Sequence, residues 1–241
     1  METVYKPNNN SHVRNQEKEP SYIHQQHLQI SKEMIVLQSP FPLKCISSGV
    51  TGAGLGWYQT FVNRHVNKNY NYADHQQEMA QFLKGKGLIP DEAVGMMTAV
   101  NLRHVAVEEW KGKGFSLLIV VTAGVGNAVD ATLGSTHMSQ EKPGTINSWI
   151  FVNGKLTDEA FIQSIVTATE AKTKVLREAN VLDEKNNTLA TGTSTDSILV
   201  AASQQGRQLE FAGPISELGI LIGKGVFSCT KKALEQSRRD R

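Results

Sequence analysis

The chain has 241 residues, 39% of them hydrophobic and 20% charged, the balance of an ordinary globular domain. Its 25 basic and 23 acidic residues are intermixed and leave a formal charge of +2, which excludes the electrostatic footprint of a nucleic-acid binder. The longest apolar runs, at 117–121 and 220–222, fall far short of the ~20 residues a membrane-spanning helix requires.

Residues 1–30 are polar and include Asn8-Asn9-Asn10 and several Gln. Such a segment has too little apolar surface to offset the entropy of ordering, so a disordered or loosely docked tail is expected, with one folded domain over 31–241. Lys6 is followed by no apolar stretch, so no secretory signal is expected. Met34–Leu37 and Leu43–Ile46 read as two strands separated by Pro40-Phe41-Pro42. A glycine-rich stretch, 49–56, precedes a polar and aromatic segment from Trp57 to Tyr72 that is expected to cap or overlie something. A helix is expected from about Asp74 to Lys84, then strand character from Gly95 to Val107, at Phe115–Val121 and at Thr145–Val152. The clearest helix runs from Thr157 to about Ala179. Thr157 is a good N-cap, and Asp158 and Glu159 complement the helix dipole. Ser197–Ala201 is a further strand, and a last helix over about 216–236 carries Gly219, Gly223 and Gly225. Strands interleaved with strong helices predict a single α/β or α+β domain, a mixed sheet covered by helices.

Several motifs are excluded by spacing. Gly124-Val125-Gly126-Asn127-Ala128-Val129 follows a strand but ends on Val129, and no acidic residue closes a second strand about 20 residues on, as a dinucleotide fingerprint requires. Gly49 to Gly54 has phosphate-loop spacing, yet Leu55 and Gly56 stand where Lys and Ser/Thr belong. No HExxH pair or Gly-x-Ser-x-Gly elbow is present. The two cysteines, Cys45 and Cys229, have no zinc spacing; they fit buried hydrophobes in a reducing, cytoplasmic compartment.

What remains is four loops at predicted strand ends, dense in small, hydroxyl and amide residues: 47–56, 122–127, 143–147 and 191–196. Glycine there lets backbone N–H groups approach a ligand or hold an oxyanion, although any one such loop can simply be a turn. On the helix from Thr157, the residues Phe161, Ile165, Thr169, Leu176 and Ala179 share one face, and Lys172 falls inside it. A lysine on an apolar face either snorkels or is buried with a partner. Glu170 projects away from that face. Asp196 follows a Thr/Ser run and precedes the strand Ser197–Ala201; it either ties down the turn or acts as a general base.

In order, Thr122-Ala123-Gly124 with Asn127-Ala128, Pro143-Gly144-Thr145-Ile146-Asn147, Thr169-Glu170-Ala171-Lys172, Ala190-Thr191-Gly192-Thr193 and Thr195-Asp196 resemble the adenosylcobinamide amidohydrolase family. The resemblance extends from about Leu43 to Leu234. It implies a corrinoid small-molecule substrate, adenosylcobinamide, cleaved at the amide of its aminopropanol arm to adenosylcobyric acid and 1-aminopropan-2-ol, in corrinoid salvage. It also implies a functional link to corrinoid uptake components, with no nucleic acid and no membrane insertion. No cofactor is expected, since cobalt enters only with the substrate. An open cleft of small polar residues suits a large ring with amide arms, and the Trp57–Tyr72 segment could add aromatic contacts.

The resemblance carries no catalytic list, so roles rest on chemistry. Asp196 is expected to activate water, Lys172 or backbone N–H groups near Gly124 to stabilise the oxyanion, and Asn147 to orient the substrate amide. Thr122, Gly124, Gly126, Asn127, Gly144, Thr145, Gly192, Thr193 and Thr195 form the expected substrate-binding set. A threonine nucleophile, Thr193 or Thr195, is the mechanistic alternative. The functional alternative is a non-catalytic corrinoid-binding protein of an uptake system, in which Asp196 and Lys172 need not converge.

Overall fold

The computed structural model describes residues 23–134 and 144–239. Eight strands form one mixed sheet: β1 (Leu28–Ile30), β2 (Met34–Ser47), β3 (Gly54–His65), β4 (Ala93–Thr98), β5 (Ala106–Gly112), β6 (Phe115–Ala123), β7 (Ile146–Asn153) and β8 (Ser197–Ala202). The order across the sheet is β4-β3-β2-β8-β7-β6-β5, with β1 added along β2. Neighbours are antiparallel except β3 with β4 and β7 with β8. Three α-helices accompany the sheet among the described residues: α1 (His75–Gly85), α2 (Asp158–Glu178) and α3 (Glu217–Arg239). The expected single mixed α/β domain is what the chain forms.

Period-2 alternation sorts each strand's side chains between two faces. In β7, Ile146, Ile150 and Val152 pack in the cluster that holds α2 and α3, while Trp149 and Phe151 pack in a second cluster on the other face. Every residue of β7 is buried, as a strand covered on both sides must be. α1 seats Met79 and Leu83 on Val36 and Val62, the helix-facing positions of β2 and β3.

The other face is covered by the sheet itself. β3 and β6 lie four strands apart, about 19 Å across a flat sheet. Yet Asn63 of β3 donates to Thr122 Oγ1 of β6 at 3.0 Å, and the Phe61 and Phe151 rings meet edge-on at 5.1 Å. The sheet therefore curls back on itself, and its concave face encloses Leu37, Leu43, Phe61, Met96, Leu118, Val120, Trp149 and Phe151. Each such side chain contributes about 1.5–3 kcal/mol when fully buried.

Three expectations are corrected. β2 is one strand, because the ladder is interrupted only between Gln38 and Leu43, where the prolines have no bond to lose. Trp57 does not open a cap: residues 54–65 are the long strand β3, paired with both β2 and β4. The tail ends earlier than expected, because residues 23–30 are docked; Ile23 is 1% exposed, its N–H donates to Asn153 Oδ1 at 2.6 Å, and β1 pairs with β2. The sequence pattern hid this because a single buried isoleucine sits among polar residues. The rest of the expected tail, 1–22, lies outside the described residues, as does Pro143 of the 143–147 motif.

α2 starts where its cap predicts, with Thr157 accepting from Ala160 N at 3.2 Å. Its buried side is Ala160, Phe161, Ser164, Thr167, Ala168, Val175 and Leu176, so the expected face containing Ile165, Thr169 and Lys172 is a flank of the helix and not its centre. α3 crosses close to the preceding turn: a Cβ on Gly219 would stand 1.9 Å from Gly213 O, so only glycine fits.

Candidate active site

The register brings the expected loops together at one end of the sheet. Asn147 at the start of β7 pairs with Thr122 near the end of β6 and with Ser197 at the start of β8; Leu199 of β8 pairs with Ser47, the last residue of β2. Beside β8 these loops and α2 enclose a pocket of about 150 Å³ lined by Ile146, Ser148, Ala168, Thr169, Lys172, Asp196, Ser197 and Ile198.

Lys172 and Asp196 meet in this pocket. Lys172 Nζ lies 2.5 Å from Asp196 Oδ2, with side chains only 14% and 16% exposed. Of the two readings left open for the lysine, burial with a partner is the one realised. Asp196 Oδ2 also accepts from Thr193 N at 3.1 Å, and Oδ1 accepts from Ile146 N at 2.9 Å and from the Thr193 hydroxyl in a very short bond. Four donors fill the in-plane lone pairs of a carboxylate. Gly192 leaves the pair its room, since a Cβ there would stand 2.8 Å from Asp196 Oδ2 and 3.2 Å from Lys172 Nζ, and one of the two side chains would have to shift.

Asn147 is placed elsewhere. Alternation points it to the concave face, away from α2, where it is 1% exposed. Its Nδ2 donates to Asn63 Oδ1 at 2.8 Å and to Met97 O at 2.9 Å, and its Oδ1 accepts from Thr145 Oγ1 at 3.2 Å. Asn63, which no sequence signal singled out, completes this network by donating to Thr122. Together they tie β3, β6 and β7 across the curl, and Asn147 is not among the residues lining the pocket beside α2.

The rest of the expected binding set divides in two. Gly144 lies where a Cβ would stand 2.6 Å from both Asn127 Oδ1 and Gly126 N. Asn127 donates to Ser194 and Thr195, and Thr195 donates to Gly144 O at 2.9 Å, so these residues lock the three loops to one another. Gly124 and Gly126 face a second, larger cleft of about 1240 Å³. Its lining includes Lys32, His65, Lys68, Arg103 and His104, and it shares no lining residue with the Lys172–Asp196 pocket. The glycine-rich 49–56 stretch instead packs on β4, with Val50 N donating to Gly95 O at 2.7 Å.

Missed in the sequence were Ser148, Ser197 and Ile198. Strict alternation from Asn147 and Leu199 identifies Ser148 and Ile198 as helix-facing, while Ser197, paired with Asn147, reaches the pocket as the first residue of β8. Both cysteines are buried, and burial pushes the Cys45 thiol up to about 12, so neither is a nucleophile. No helix of the described residues is long and apolar enough to cross a membrane.

Fold and site thus define a single-domain mixed α/β protein with a small polar pocket, built around a lysine–carboxylate pair, at the end of its curled sheet. The adenosylcobinamide amidohydrolase family model matches residues 19–241, and the chain belongs to that family. The resemblance read from the loops is borne out, and the family is, by its name, one of amidohydrolases acting on a corrinoid. An adenosylcobinamide amidohydrolase of Methanosarcina mazei is 26% identical over 215 residues, spanning 86% of this chain and 96% of the relative. An uncharacterised protein of Methanocaldococcus jannaschii is 29% identical over 69% of this chain and 71% of its own length. An uncharacterised ABC transporter ATP-binding protein of Bacillus subtilis is 26% identical over 86% of this chain, which spans 38% of that relative. Among solved structures, a Pyrococcus horikoshii protein aligns with TM-score 0.43 at 9% identity, over 85% of this chain and 78% of its own.

Proposed function

We propose that the protein hydrolyses the amide joining the aminopropanol arm to the corrin ring of adenosylcobinamide, releasing adenosylcobyric acid and 1-aminopropan-2-ol in cytoplasmic corrinoid salvage. The observation that carries this reading is the convergence of Lys172 and Asp196 at 2.5 Å in a pocket at the strand ends. In a non-catalytic corrinoid carrier the two side chains need not converge. The similarity to an ABC transporter ATP-binding protein supports a functional link with uptake components.

In this reading water adds to the amide carbonyl carbon, and the carbonyl oxygen takes up the negative charge. An ammonium has three protons, and Lys172 shifts from Asp196 toward the developing oxyanion. The lone pair thereby freed on Asp196 Oδ2 takes the proton of the attacking water and passes it to the departing amine as the C–N bond breaks. The reading requires no cofactor of the protein's own; cobalt arrives within the substrate.

A second reading has a specific observation behind it. The Thr193 hydroxyl donates to Asp196 Oδ1, the arrangement of a nucleophile beside its base. There the threonine oxygen forms an ester with the corrin acid, expels aminopropanol, and water then cleaves the ester. Thr193 is only 8% exposed, which favours water as the attacking group.

The test is incubation with adenosylcobinamide and chromatographic search for adenosylcobyric acid and the free amine. Absence of both products, with the corrinoid retained intact on the protein, sinks the hydrolytic reading and leaves the carrier. Turnover that persists in Thr193→Ala excludes the ester.

A further inference from the structure

The 150 Å³ pocket has room for about five waters, enough for an amide arm but far too little for a corrin macrocycle. If the arm enters there, the ring must lie against whatever surface adjoins the mouth. Two pocket-lining residues, Ile198 of β8 and Thr169 of α2, lead onto that surface.

Residues paired across antiparallel strands share a face. Leu55 is paired with Ile46, which is paired with Val200; Trp57 is paired with Lys44, which is paired with Ala202. Val200 and Ala202 lie under the helices, so Ile46, Leu55 and Trp57 lie on the helix-bearing face too. No helix covers the last two: Leu55 is 63% and Trp57 58% exposed. The bare strip lies between the part of β2 and β3 seated under α1 and the part of the sheet seated under α2. The flank of α2 bordering it carries Phe161, Ile165, Thr169 and Lys172, steps of four, four and three. Lys44 pins that flank to β2, with its Nζ 2.6 Å from Asp158 Oδ1 and 5.6 Å from the Phe161 ring centroid. A floor of Ile46, Leu55, Trp57 and Ile198, walled by α2, thus leads to the Lys172–Asp196 pair.

We infer that this strip is the seat of the corrin ring, with Trp57 and Leu55 holding its flat apolar face while the aminopropanol arm enters the pocket. The inference rests on the hydrolytic reading above. Aromatic and aliphatic contacts of this kind bind ground state and transition state alike, so their loss raises KM and leaves kcat in place. Both side chains are exposed, and their replacement costs the fold little.

The experiment measures kcat and KM for adenosylcobinamide, and Kd by equilibrium dialysis read from corrinoid absorbance, in the wild type and in Trp57→Ala, Leu55→Ser and Trp57→Phe. Ile215→Ser is the control: Ile215 is 94% exposed and as apolar, and it lies three residues after Ala212, whose carbonyl accepts from Thr167 on the other flank of α2. Trp57→Ala is expected to raise KM and Kd roughly tenfold, as loss of a central aromatic anchor does, with kcat held within about twofold. Trp57→Phe restores most of the affinity, and Ile215→Ser changes nothing. Unchanged KM and Kd in Trp57→Ala and Leu55→Ser, with turnover intact, overturn the seat and leave the hydrolysis standing. A wild type that binds without turning over ends the hydrolytic reading, and the Kd series still decides the seat. A wild type that does neither ends both. A concentration-dependent dimer that Trp57→Ala dissolves assigns the strip to a second copy of the chain and overturns the inference as well.

Discussion

Asp196 accepts four hydrogen bonds, and each partner constrains a different element: Lys172 on α2, Ile146 at the start of β7, and the backbone and hydroxyl of Thr193. Its substitution therefore acts on stability and turnover together. Asp196→Asn is expected to lower kcat by ~10²–10⁴. It should also cost ~3 kcal/mol or more, because Lys172 is left charged and unpaired in a largely buried site. Lys172→Met keeps the stem and loses the charge, with the same pair of effects. Gly192→Ala isolates geometry from chemistry: its Cβ crowds Asp196 Oδ2 and Lys172 Nζ and disturbs their pairing while both side chains are kept. Chemical denaturation and steady-state kinetics on the three variants give the check; wild-type kcat in a folded Gly192→Ala shows that the close pairing is not needed for turnover. Asn147→Ala, by contrast, is expected to lower stability by ~2–3 kcal/mol through its orphaned partners, with KM for the corrinoid unchanged in the folded fraction. A raised KM at undiminished stability would return Asn147 to the substrate.

β1 and the turn before it decide how the N-terminal segment behaves. Ile23 and Asn153 exchange hydrogen bonds at 2.6 and 2.9 Å, and Gln25 N donates to Glu109. Deleting residues 1–30 therefore removes a core side chain and leaves Asn153 partly unpartnered, and a fall of several degrees in Tm is expected. Ile23→Ala reproduces most of it, at ~2–4 kcal/mol, the cost of truncating a fully buried isoleucine. Scanning calorimetry settles the matter: equal midpoints for the full and shortened chains would mean that β1 adds nothing to the sheet. The same logic explains why a polar, unpatterned segment was expected to be a tail. One buried residue in eight makes no periodic signal, yet it closes the concave core.

At the scale of the molecule, acid stability draws on several lowered carboxylates, of which Asp183 and Glu108, neither lining the pocket, are the most enclosed. The Asp130 N–H, then the Asn186 side chain, hold Asp183 below the ordinary carboxylate range. Burial pushes Glu108 up, but the bonds from Lys232, Ser228 and Trp110 outweigh it, and its value too is lowered. Folded values below unfolded ones contribute stability that is fully present above the ordinary carboxylate range, about pH 5, and lost as pH falls through the lowered folded values. Tm should thus be level from neutrality to about pH 5 and drop beneath it. Asp183→Asn should lower the neutral plateau and flatten the acid slope. An unchanged slope in that variant places the acid sensitivity elsewhere.

Strand and helix existence in this chain follows largely from local pattern, with β1 and β3 the exceptions. The alternation in 146–153, the Thr157 cap and the apolar spacing of α2 are properties of adjacent residues, and so is the clustering of glycine, threonine and asparagine in the loops that carry the family resemblance. The pairing of Lys172 with Asp196 was legible only as two separate oddities, a lysine on an apolar flank and an aspartate at a strand start. Their meeting depends on the parallel register of β7 with β8 and on α2 crossing above it, contacts between residues 24 or more positions apart. The placement of Asn147 was hidden for the same reason: composition puts it in the right loop, but the face of the sheet it occupies is set by strand register. The curl that makes that face a core joins Asn63 to Thr122 across four strands, and so depends on the closure of the whole sheet. Local chemistry determined the elements and the inventory of polar groups; long-range burial decided which of those groups are spent holding the sheet together and which remain in a pocket.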